Sequence, residues 1–165
     1  MNKTNFKDSL KKGKKGEKVV IERLLELSYT STILDVSDKE EYRDIDVDCL
    51  WYTSYQIEPY SLEIKSDNYN SGNFFFETTS CKETGSSGCF MYSEADVFAY
   101  YFTKKGIIYL FNLPKIRKTF IEFINKFEEK SCKTFRYDGS CYTTIGRLVP
   151  IKKLVKSKFL RTVRI

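Results

Sequence analysis

Apolar residues return along this chain with two different periods, and the change between them marks out the elements. Over residues 16–29, Val19, Val20, Leu24 and Leu27 recur at helical spacing while Glu17, Lys18, Glu22 and Glu26 fall elsewhere, which predicts an amphipathic helix. Shorter runs follow. Residues 31–36 read as a strand, residues 37–43 as a charged turn, residues 44–52 as a second strand ending in Leu50-Trp51-Tyr52, and a third strand runs from Pro59 through Lys65. The polar stretch 66–73 contains Gly72 and predicts a loop before a fourth strand over 74–79. Residues 80–93, rich in glycine and serine, predict a flexible connection. Ser93-Glu94-Ala95-Asp96 then has the serine-first character of a helix start, with the helix reaching about Phe102. Residues 106–111 predict a buried strand. Pro114 suits a first helical turn, and the helix continues over 116–127 with Phe120, Ile121, Ile124 and Phe127 as its stripe.

What remains lies at the ends. Residues 1–15 read as a basic mobile arm, and 134–165 as a basic C-terminal extension with a strand near 142–149. The order is helix, three strands, an extra strand, helix, strand, helix. At 165 residues this predicts one α/β domain with a mixed central sheet flanked by helices.

Alternation then gives the polar positions a geometry. In the third strand Glu63 and Lys65 share a face while Leu62 and Ile64 point into a core. In the second, Asp44, Asp46 and Asp48 share a face opposite Ile45 and Val47. If these strands pair, Asp46, Glu63 and Lys65 converge. Two carboxylates and a lysine are the minimum equipment for metal-assisted phosphodiester cleavage, because hard cations such as Mg2+ or Mn2+ prefer oxygen ligands. The chain has no histidine, which excludes a His general base and His-ligated zinc catalysis and adds weight to the acids. Five cysteines without a CxxC pair read as reduced thiols, with a four-cysteine zinc site from the last four as the alternative. No apolar run is long enough to span a bilayer and the Lys-rich start lacks a signal-peptide core, so no membrane partner and a cytoplasmic location are expected.

Gly16-Glu17 at the first helix, the Asp44-Ile45-Asp46 strand, Glu63-Ile64-Lys65-Ser66-Asp67, Gly72-Asn73 leading to Glu77, Ser87-Gly88 and Ala95-Asp96 together resemble the PD-(D/E)XK nuclease superfamily, and within it small phage-type nucleases. The resemblance covers about residues 13–113; no proline precedes the first aspartate. It implies a restriction-endonuclease-like αβββαβ core and a Mg2+- or Mn2+-dependent deoxyribonuclease, structure-selective like a Holliday-junction resolvase or weakly sequence-specific, serving phage recombination, repair or restriction. Asp46 would bridge the metal, Glu63 and the Ile64 carbonyl would complete its site, and Lys65 would orient or deprotonate the attacking water, or stabilise the developing charge. Glu17 would act in the outer shell or at a second metal, or else serve only its helix terminus. Glu77 is a further acid or a solvated strand residue, and Asp44 and Asp48 compete with Asp46. Asp96 is expected to serve its helix start.

A net charge of +6 suits a polyanion. Lys3, Lys7, Lys11, Lys12, Lys14 and Lys15 in the arm, and Lys152, Lys153, Lys156, Lys158, Arg161 and Arg164 in the tail, are candidate phosphate contacts, or a solvated surface. Tyr92, Tyr100 and Tyr101 or Phe74 to Phe76 would stack on bases or fill the core. A twofold homodimer is the simplest way for one small domain to cut both strands. The competing reading is a catalytically idle module of the same fold that binds nucleic acid or a partner.

Overall fold

The computed structural model describes residues 4–69, 71–136, 138–154 and 160–164 and shows a mixed α/β protein built on two sheets. A two-residue strand β1 (Thr4–Asn5) leads into helix α1 (Phe6–Leu25). Then come β2 (Thr30–Asp35), the single turn α2 (Glu40–Arg43), β3 (Cys49–Thr53), β4 (Tyr60–Asp67), β5 (Asn73–Cys81), β6 (Ser86–Ser87) and the short helix α3 (Cys89–Tyr92). The chain finishes with β7 (Val97–Phe102), β8 (Ile107–Asn112), α4 (Leu113–Phe123), a 3-10 turn, β9 (Glu128–Phe135), β10 (Cys141–Pro150), α5 (Ile151–Leu154) and β11 (Leu160–Arg164).

Six strands form the first sheet in the order β11-β8-β7-β4-β3-β2. Strands β2, β3 and β4 are an antiparallel meander, and β7 returns parallel to β4 with Glu63 opposite Phe98 and Lys65 opposite Tyr100. The second sheet, β1-β9-β10-β5-β6, packs against one face of the first through an aromatic core. There Phe74 meets Phe111 edge-on at 4.9 Å and Phe76 stacks on Phe90 at 4.0 Å. The opposite face of the first sheet is covered by Val20 and Leu24 of α1, which pack with Leu62, Ile64, Ala99, Tyr101 and Ile108. The central sheet is therefore flanked by a helix on one side and chiefly by another sheet on the other.

Several sequence expectations are corrected by this arrangement. Residues 97–102 are a strand, not a helix: Phe98, Tyr100 and Phe102 face the aromatic core and Ala99 and Tyr101 face α1. A strand buried on both faces shows an unbroken apolar run and loses the period of two. Residues 6–15, expected in a mobile arm, belong to α1, which begins at Phe6; its lysines are good helix formers, and Gly13 and Gly16 lie inside it, while residues 1–3 lie outside the described residues. Gly16 is there for space: a Cβ would stand 1.7 Å from Ser66 Oγ and 2.7 Å from Ser66 Cβ, so the helix crosses β4 nearly backbone to strand. The described residues of 134–165 take part in both sheets, with β10 pairing to both β9 and β5, and β11 to β8. Residues 44–46 belong to a turn, and only Cys49–Thr53 is strand. The shared face expected for Asp44, Asp46 and Asp48 does not exist.

Candidate functional site

The turn that carries Asp46 is closed by backbone hydrogen bonds, Asp46 N to Arg43 O at 3.2 Å and Val47 N to Tyr42 O at 3.0 Å. Its tightness puts Asp46 at φ 57°, the left-handed region that aspartate tolerates better than most residues with a Cβ. The buried Ser93 hydroxyl donates to the Asp46 carbonyl at 2.8 Å and ties this turn to the segment before β7. Two residues on, the Asp48 amide donates to Leu62 O at 2.8 Å and its Oδ2 accepts from the Ile64 amide at 2.7 Å. Asp48 thus clamps the start of β3 onto β4.

Strand β4 obeys its predicted alternation. Leu62 and Ile64 point into the core beneath α1, while Glu63, 7% exposed, and Lys65 point toward β5 and α3. From β5, Glu77 Oε2 reaches Lys65 Nζ at 3.2 Å. Gly88 lets the chain return against β5, where a Cβ would lie 2.5 Å from the Glu77 carbonyl, and this close approach delivers Cys89. Among the described residues, the ligand atoms of Asp46, Glu63 and Cys89 form one cluster, all within 4.8 Å of one another. Arg117 Nε holds α3 in place through Phe90 O at 2.8 Å.

Electrostatics mark the same point. Burial pushes the Glu63 carboxyl well up, reinforced by Asp48 and Asp46. Burial likewise raises Asp46 and Asp48, against hydrogen bonds from the Tyr92 hydroxyl to Asp46 and from the Ile64 amide to Asp48. Asp48 and Glu63 share a side-chain hydrogen bond, which needs a proton between them. Lys65 is held firmly protonated by its neighbours Cys89, Glu77 and Glu63. Asp46 Oδ2 is buried with no hydrogen-bond partner. Such an oxygen is costly unless something else meets it.

Glu17 stands on the other side of Asp48. It is half-buried, raised by burial and by Asp48 and Asp35, and lines a groove of about 360 Å³ with Lys14, Asp48 and Tyr142. It therefore joins the acids through Asp48. Asp44 is exposed and forms no part of the cluster. Ile64 contributes its amide to Asp48 and its side chain to the core. Asp96 accepts from the Ser61 amide and hydroxyl, both at 2.9 Å, and ties β4 to β7 instead of capping a helix. Asp67 accepts from Tyr100 Oη at 2.6 Å, a structural bond deep in the protein.

No family model, curated protein or solved structure matches this chain. Its chemistry has to be read from its own side chains.

Lys11, Lys12 and Lys15 are exposed on α1 and Lys14 enters the groove. Lys152 and Lys153 are exposed on α5, Lys153 over the Phe127 ring at 5.7 Å. Arg161 and Arg164 are exposed on β11, while Lys3, Lys156 and Lys158 lie outside the described residues, as does the Lys7 side chain. Phe74, Phe76, Tyr100 and Tyr101 are buried and take no part in stacking on a ligand, whereas Tyr92 is 43% exposed beside Asp46. The last four cysteines do not gather among the described residues. Sequence reasoning missed Cys89 as a member of the acid cluster; no spacing signals it, because its place depends on the return of the chain along β5. No helix among the described residues is long and apolar enough to cross a membrane.

Proposed function

We propose that this protein is a divalent-metal-dependent nuclease that hydrolyses phosphodiester bonds in DNA. The observation that carries the reading is the convergence of Asp46 and Glu63, from a turn and a strand, around a buried carboxylate oxygen that has no partner, with Lys65 on the same strand face. These residues fit a hard cation: raised carboxyls that crowd one another are relieved by a positive ion, and an orphan oxygen gains a ligand. When bound, Mg2+ or Mn2+ supplies an acidified water and neutralises charge on the phosphate.

The chain's own groups do the rest. Asp46 and Glu63 are the metal ligands, and the Tyr92 hydroxyl orients Asp46. Lys65 stays charged, so its role is to stabilise negative charge on the phosphate and not to accept a proton. Asp48 fixes Glu63, and Glu17 extends the acidic wall into the groove. Lys14 at that groove, with Lys11, Lys12 and Lys15 along the same helix, grips backbone phosphates without reading sequence. The meander with a fourth strand parallel to its last, and α1 packed on it, are features an αβββαβ core would share and support the same reading, while the four-residue α3 is the helical segment between β4 and β7.

Plasmid, single-stranded and four-way-junction DNA incubated with Mg2+ or Mn2+ test it. Cleavage that is lost in Asp46→Ala and Lys65→Ala is expected. Cleavage undiminished in both variants refutes the assignment, and tight binding without cleavage in any metal points to the idle binding module.

A further inference from the structure

We propose that Cys89 makes this a mixed oxygen–sulfur metal site, selective for thiophilic divalent cations of the Zn2+ class over Mg2+. The inference deepens the nuclease reading and shares its Asp46–Glu63 pair. Three observations support it. The Cys89 sulfur and one carboxylate oxygen each from Asp46 and Glu63 lie within 4.8 Å of one another. In a tetrahedral site with metal–oxygen distances near 2.1 Å and metal–sulfur near 2.3 Å, ligand atoms stand about 3.5 Å apart. Side-chain adjustment of about an ångström therefore closes all three onto one ion.

Two of these groups also carry a ligand atom that no hydrogen bond occupies among the described residues. Cys89 is 8% exposed and makes no side-chain hydrogen bond among the described residues, and Asp46 Oδ2 is buried without a partner. A thiol needs no polar neighbour to be buried, yet this one sits among carboxylates and an ammonium, where a small apolar residue would fill the space as well. Lys65 is the cation nearest in effect to the sulfur and offsets negative charge there. The third point is chemical. Carboxylates alone suit Mg2+ or Mn2+, whereas a thiolate adds affinity for Zn2+, Co2+ and Cd2+ and contributes little toward Mg2+. On binding, the Sγ–H bond breaks, the metal–sulfur bond forms and the proton passes to the buffer.

The test uses the full chain freed of metal and titrated with Co2+ alone, reading the near-ultraviolet thiolate-to-cobalt charge-transfer band. An equimolar band in the wild type is expected. Zn2+ should displace the Co2+ at stoichiometric concentration, and Mg2+ only in large excess. Cys89→Ser should abolish the band and weaken Zn2+ binding at least about tenfold, leaving Mg2+ binding nearly unchanged. Cys132→Ser, on an exposed strand, should keep the band. No band in the wild type, or a band that survives in Cys89→Ser, overturns the inference; the wild-type result decides even if the variant fails to fold. Mg2+-dependent cleavage without a cobalt–sulfur band refutes this inference alone. A cobalt–sulfur band without cleavage in any metal refutes the nuclease reading alone.

Discussion

Replacing Asp46 with glycine should stabilise the metal-free protein while abolishing its activity. Asp46 holds φ 57°, which costs an L-residue about 1–2 kcal/mol, toward the low end for aspartate. Its Oδ2 is buried without a partner, worth about 1–3 kcal/mol of unrecovered desolvation. Against this, glycine adds about 0.4–1 kcal/mol of unfolded-state entropy. The lost hydrogen bond from Tyr92 costs about 1 kcal/mol. The balance is about 1 kcal/mol in favour of Asp46→Gly, a rise in melting temperature of about 2–4 °C for a chain of this size. Asp46→Ala removes the carboxylate but keeps the strained backbone, so it should fall about 1 kcal/mol below the glycine variant. Urea unfolding in EDTA measures all three proteins, and added Mn2+ should raise the midpoint of the wild type only. An alanine variant as stable as the glycine variant refutes backbone strain at this turn. A glycine variant less stable than wild type in EDTA refutes the orphaned carboxylate.

Gly16→Ala should cost about 1–3 kcal/mol in thermal unfolding, because the new methyl collides with Ser66; pairing it with Ser66→Gly should recover much of the loss. Tyr92→Phe should leave the fold intact and lower the cleavage rate about tenfold, about 1.4 kcal/mol, through a misoriented Asp46, read as kcat at saturating DNA. The pH dependence follows from Glu63, Asp48, Asp46 and Glu17, whose carboxyls all hold protons more tightly folded than unfolded, chiefly through burial. The folded protein binds more protons, so stability without metal should be greatest near or below the ordinary carboxylate range, about pH 4, and fall as pH rises through the raised values. Urea midpoints in EDTA from about pH 5 to about pH 8 should show this decline, and Glu63→Gln should flatten it.

The most legible parts of this chain were those with one wet face. Alternation in β4 correctly separated Glu63 and Lys65 from Leu62 and Ile64, and the periodic stripe of α1 located its packing face at Val20 and Leu24. What failed did so for identifiable reasons. β7 is dry on both faces and so has no period. β9 is exposed over most of its length and offers no apolar signal at all, although its ladder with β10 builds the second sheet. The acidic run 44–48 imitates a strand in its alternation, but a tight turn sends Asp46 to Glu63 and Cys89 and Asp48 to the groove beside Glu17. Glu77 and Cys89 could be placed only by knowing that the chain passes from β4, inside the first sheet, to β5 in the other sheet.

Synthesis order gives the β5–β10 pairing a meaning of its own. Glu77, which meets Lys65, rides on a strand whose long ladder partner is made much later in the chain, with Thr79 opposite Ile145 and Phe74 opposite Val149. Until residues 141–150 leave the ribosome, β5 has only the two-residue β6 beside it and an open edge where β10 belongs. Pairings that distant in sequence also form late and slowly. A growing chain therefore carries Lys65 and Glu77 before it has the strand that fixes β5, and under the nuclease reading proposed above this contact is completed only once residues 141–150 have joined the sheet.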